Sequence, residues 1–294
     1  VIIGEDAGKN QTTADNNVII GQGAGEQVTE GHTNTLIGSE AGDALTTGDE
    51  NVAVGHGALD GTATGNGNTA VGTDSMGKSN YNASYNTAVG YNAMLNATTA
   101  TGTTAIGTQA LDALTTGAQN TALGASALGA STTASYNTAV GASALVVNTT
   151  GAQNTAVGAF ALQSNTTGSP NTALGYDALG DNTTAAGNTA VGWASLSKTT
   201  TGYANTAVGQ SALTANTTGH SNVAIGHNTL DASTTGDNNT ALGKSALSSN
   251  TTADSNTAVG TSALFTNTTG AFNAAMGNDA LRTNSTGGSN IAIG

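Results

Sequence analysis

Small, aliphatic and polar positions recur along this chain with a strict period. A glycine that follows an aliphatic residue falls at Gly4, Gly21, Gly38, Gly55 and Gly72, then at Gly90, Gly107 and every 17 residues to Gly294; only the step from Gly72 to Gly90 is 18. The residue before this glycine is aliphatic in character, as at Ile3, Val54, Leu123, Val208 and Met276. Two before it stands alanine, except in the first three copies, which carry Ile2, Ile19 and Leu36. Three before is usually threonine, and four before is asparagine in sixteen of seventeen copies, Thr103 being the exception. Four after the glycine is Leu or Met from Leu59 onward, but Gly8, Gly25 and Gly42 in the first three copies. A Thr-Thr pair such as Thr115-Thr116 or Thr217-Thr218 follows, then Gly or Ala.

Self-similarity at a fixed short period marks a stacked-repeat architecture. The pattern predicts an all-β parallel solenoid, or β-roll, of 17-residue coils. In Asn-Thr-Ala-Val-Gly, the threonine and the aliphatic residue lie two apart and share one face of a short strand. Alanine and glycine take the other face, where small residues let another backbone approach. The Ala-Leu segment is expected to form a second strand, and Gly and Asn to occupy the φ > 0 positions of turns. Coils stack ~4.8 Å apart, with identical residues in ladders; stacked asparagines are expected to hydrogen-bond through their amides. Residues 1–294 form a single repeat domain, with variant coils over 1–50 and an irregular coil over 73–90. A one-residue bulge is expected there, through Gly77, Lys78, Ser79, Asn80 and Tyr81. The chain opens and closes at the same phase of the repeat, which reads as a segment of a longer protein.

Composition narrows the picture. Large apolar side chains are scarce, only 3% of residues are aromatic, and glycine numbers 42, so neither helices nor a thick globular core are expected. A thin coil stack is marginal alone, and packing the Ala/Gly face against copies around an axis points to a homotrimer or a self-assembling filament. The net charge of −13, with five basic residues, disfavours nucleic acid and anionic membrane surfaces. No run approaches the ~20 apolar residues of a membrane-spanning helix. Without cysteine the chain has no disulfide frame, thiolate metal site or cysteine nucleophile.

The Thr/Val-Ala-Val/Ile-Gly unit resembles the head repeats of trimeric autotransporter adhesins, whose repeats are usually shorter. The stretch from Asn171 to Leu179 followed by Asn182-Thr183-Thr184 is more similar to repeats of bacterial and phage tail-fibre-domain proteins. The variant opening, Asn17-Val18-Ile19-Ile20-Gly21 leading to Ala24-Gly25, resembles them too. The first likeness implies a parallel β-roll with three chains around one axis. The second implies a location on a cell surface or virion. Proteins of that group often end in a self-cleaving chaperone domain, which these 294 residues do not contain.

Candidate chemistry is sparse. His32, His56, His220 and His227 lie in different coils without metal-ligand spacing. The acidic group Asp43, Asp49, Glu50 and Asp60 lacks a calcium-loop pattern. No serine sits in a nucleophile motif, and neither a cofactor nor an enzymatic activity is expected. The sequons at Asn148, Asn165 and Asn216 read first as turn chemistry. The large residues Tyr91, Tyr176, Trp193 and His227 share the phase just after the glycine and are the candidate ligand contacts, since exposed aromatics stack on sugar rings. The expected function is an extracellular structural fibre acting as spacer and multivalent surface, with a cell-surface or glycan receptor as a possible partner. The alternative is a solenoid that binds ice or another crystal through threonine ladders such as Thr116, Thr133, Thr150 and Thr167.

Overall fold

A computed structural model describes residues 1–77 and 82–294. The chain divides into two compact units, Val1–Thr150 and Gly151–Gly294. Each is a parallel β-solenoid of the predicted coil, and no helix forms among the described residues. In the first unit the strands run from β1 (Ile2–Ile3) to β9 (Thr138–Val140), in the second from β10 (Thr155–Val157) to β18 (Ile291–Ile293). Within each unit every strand pairs in parallel with its sequence neighbour, and like lies on like: Ala53 on Ala70, Ala190 on Ala207, Val191 on Val208. The ladder holds across the irregular coil, with Thr69 opposite Thr87. Pairing has its ordinary phase at Met76, whose N–H donates to the carbonyl of Ala93, and is shifted by one at Thr64, whose hydroxyl meets Asn82. The expected bulge lies, apart from Gly77, outside the described residues.

Two expectations about the coil are corrected. There is one strand per coil, not two. The Ala-Leu segment is a run of turns, with Ser211 and Leu213 at φ 54° and 50° and the same pair of left-handed positions in most coils. Leucine there costs about 1–2 kcal/mol in backbone strain, comparable to the roughly 1.5–3 kcal/mol from burying it fully. Second, the strand faces are the reverse of the expected ones. The middle alanine of each strand points into the coil, and Ala70, Ala139, Ala190 and Ala207 are fully buried. Threonine and the aliphatic residue point outward. The coil is too narrow to hold the aliphatic residue and Leu213 together, so the small residue goes inside.

The core of each unit is therefore a set of ladders. In one coil of the second unit Ala207, Ala212, Leu213, Asn216, Gly219 and Asn222 face inward. The phase-zero glycine is needed because coils touch backbone to backbone there: a Cβ on Gly192, whose φ is 131°, would lie 2.6 Å from the carbonyl of Gly209. The first three coils solve the same volume differently. Gly42 sits where later coils have leucine because Leu36 fills that space, and a Cβ on Gly42 would lie 2.8 Å from Leu36 Cδ2. Bulk has moved from one inward position to the other within a coil.

The expected asparagine ladder is present and buried. The backbone N–H of Asn205 donates to Asn188 Oδ1 at 2.9 Å, and its side-chain amide donates to Asn188 Oδ1 at 3.2 Å and to the carbonyl of Gly219 at 2.8 Å. Asn222 repeats the arrangement on Asn205. In the first unit Asn51 and Asn68 do the same. Each amide so satisfies backbone groups that the tight turn leaves without a ladder partner.

Candidate ligand-binding edge

The residue after each phase-zero glycine starts the turn that leaves the strand, so its side chain lies on an edge of the coil. Tyr91 is exposed on this edge in the first unit. In the second unit Tyr176 and Trp193 occupy it in successive coils, with parallel rings (10°) and centroids 6.5 Å apart. Phe160 stands edge-on to Tyr176, centroids 5.6 Å apart at 85°. The three rings are 36% (Phe160), 49% (Tyr176) and 53% (Trp193) exposed, so their faces are available. Phe160, Gln163, Tyr176 and Asp177 line a shallow cleft of about 270 Å³. Burial raises the Asp177 carboxyl above the usual carboxylate range, with Lys198 opposing and Asp181 adding to the rise.

Of the four residues singled out from the sequence, the structure thus brings Tyr176 and Trp193 together. Tyr91 belongs to the other unit, and His227 is exposed on the same edge two coils beyond Trp193. Phe160, Gln163 and Asp177 are additions. Phe160 lies one phase later than the aromatics that the repeat aligned, and Ala159 holds their phase in its coil. An aromatic in the neighbouring phase of the preceding coil was the available signal.

Three of the histidines, His32, His56 and His220, pair with carboxylates of adjacent coils instead of converging. His32 Nδ1 lies 2.7 Å from Asp15 Oδ1, and His220 Nε2 lies 3.0 Å from Asp237 Oδ2 while its ring stacks on Tyr203. Among the described residues no three His, Asp or Glu side chains group as a metal site. The sequon asparagines Asn148, Asn165 and Asn216 are fully buried, which removes them as glycan acceptors in the folded chain. In the Thr-Thr pairs the first hydroxyl bonds the next coil, as Thr217 Oγ1 does to the carbonyl of Thr234 at 3.1 Å. In most pairs only the second, such as Thr116, Thr133 or Thr167, is exposed, which gives a single column, whereas both members are exposed at Thr149-Thr150.

The acidic group is only partly assembled. Asp49 accepts from the backbone of His32, whereas Asp60 is surrounded by Asp43, Asp74 and Glu40. Burial, then repulsion from those carboxylates, pushes the Asp60 carboxyl up to about 7, against a smaller lowering by His56. The folded unit therefore binds a proton that the unfolded chain releases near pH 4. Stability is fully present below that pH and is lost as pH rises from about 4 through 7. With Asp60 half exposed, solvent screening reduces the effect to about 1–2 kcal/mol. Asp60→Asn is expected to raise the urea midpoint at pH 8 and to flatten its slope between pH 4 and 8. An unchanged slope in the variant would show that Asp60 is not the group responsible.

Comparison of the chain with protein-family models and with curated proteins finds no match.

Proposed function

We propose that this chain is a non-enzymatic segment of an extracellular structural fibre: the shaft or head of a trimeric surface adhesin, tail fibre or filament. The observation that carries this reading is the outward strand face. In both units it is a ladder mostly of threonine, with Val18, Val52, Val223, Ala274 and Ile291 as the apolar exceptions, beside a ladder of Val, Ile, Leu or Met, with no charged residue in any strand. Leu123 is 44% exposed in the first unit and Leu174 47% exposed in the second. A continuous uncharged strip of this kind suits burial against another surface. A second copy presents the same repeat at the same spacing, and closed rotational symmetry would match ladder to ladder. The assembly face is then the Thr/aliphatic one, in place of the Ala/Gly face expected from the sequence. Repetition of one coil supports a spacer with many weak, identical contact points.

Light scattering on the intact chain, with electron microscopy of the same sample, tests the reading. A threefold mass and thin rods are expected; a monodisperse monomer would overturn the trimer. The second reading, binding to ice or another crystal, draws on the exposed threonine columns, and thermal hysteresis in the purified protein would favour it.

A further inference from the structure

The aromatic edge of the second unit has a composition that fibre assembly does not require. Tyr176 and Trp193 present parallel rings, Phe160 meets Tyr176 at a right angle, and the corner opens into the cleft lined by Gln163 and Asp177. We propose that this corner is a saccharide-binding site, in which a pyranose ring lies in the cleft against Phe160 and Tyr176, the latter backed by the stacked ring of Trp193, while Gln163 and Asp177 hydrogen-bond its hydroxyl groups.

A sugar ring has an apolar C–H face and a polar rim. It is recognised by an aromatic surface for the first and by directional donors and acceptors for the second. Both halves occur here within neighbouring coils. Gln163 offers a donor and an acceptor, Asp177 an acceptor, and neither side chain is hydrogen-bonded to the described residues. A volume of about 270 Å³ fits a ligand of monosaccharide size. Charge selects among sugars. Asp177 lies in the cleft and Asp181 near it, and Lys198 is held by Asp181 at 3.0 Å. The site therefore takes neutral or N-acetylated pyranoses and disfavours sialylated, sulfated or uronic ones. Beyond Trp193 the same edge carries Gln210 and His227, so a longer glycan would run along the stack. Tyr91 has no ring partner among the described residues and serves as the natural comparison. The proposal goes beyond the fibre reading and does not depend on the number of chains.

Trp193 is the only tryptophan, so its fluorescence reports on this edge directly. The intact chain would be titrated with neutral and N-acetylated oligosaccharides, with sialyllactose as the acidic comparison, followed by tryptophan emission and calorimetry. At least one neutral sugar is expected to shift the emission saturably. Its affinity should fall about tenfold in Tyr176→Ala and in Asp177→Asn and be unchanged in Tyr91→Ala. All three positions are exposed or half-buried at the edge, so an unchanged unfolding midpoint would confirm that each variant folds. Absence of binding by any neutral sugar, equal or tighter binding of sialyllactose, or full affinity in Tyr176→Ala would each overturn the proposal.

Discussion

Leu36→Ala is expected to destabilise the first unit by about 2–5 kcal/mol, as a buried leucine deletion does, and Gly42→Leu by about 1–3 kcal/mol through overpacking. Made together, they should cost far less than the sum. The reason is the exchange of bulk within a coil. Leu36 fills the space over Gly42, and its removal leaves a void there. A leucine at position 42 would meet Leu36 head on. With both changes the coil acquires the inward pair Ala and Leu, the pair that Ala53 and Leu59 already form in the next coil. The backbone is ready for it, since Gly42 has φ 62° and Leu59 φ 57°. A double-mutant cycle by urea unfolding measures the coupling. Strictly additive costs would contradict the shared-volume account of the variant coils.

The second large effect is expected in the asparagine ladder. Asn205→Ala removes the acceptor for the backbone N–H of Asn222 and the donor to the carbonyl of Gly219, both buried. Leaving buried backbone groups unpaired costs about 1–3 kcal/mol each, so the substitution should cost about 2–5 kcal/mol and speed hydrogen exchange at the Asn222 amide. The chain contains its own milder version. At Thr103 a hydroxyl replaces the amide; it accepts from the backbone N–H of Asn120 only at 3.4 Å. Thr103→Asn should therefore stabilise the first unit by about 1 kcal/mol, by restoring a short acceptor and a donor toward the carbonyl of Gly117. If Asn205→Ala unfolds at the wild-type midpoint, the ladder is not what satisfies these groups.

Much of this architecture is written in the repeat. A glycine that returns every 17 residues needs a backbone contact that returns with it, and Gly192 over Gly209 is that contact. The asparagine four places before it needed partners at the same spacing, and found them in its own copies. The direction of the strand was not legible in the same way. Thr-Ala-Val alternates, but alternation alone does not say which side is core. Only the width of the coil decides that, and the width depends on Leu213 adopting a left-handed conformation that leucine rarely takes. The same turn removed the second strand. At the candidate site the repeat aligned Tyr176 with Trp193, whereas Phe160 and Asp177 join them from the neighbouring phase through side-chain direction.

The strand direction also decides which face assembles, and one cross-linking measurement tests it. The chain has no cysteine, so Ala207→Cys and Val208→Cys each create a unique thiol on adjacent, oppositely directed positions. Treated in solution with a short bifunctional thiol reagent, Val208→Cys should give covalently joined chains and Ala207→Cys only single ones. Joined chains from Ala207→Cys and none from Val208→Cys would contradict the inward alanine and the Thr/aliphatic assembly face together.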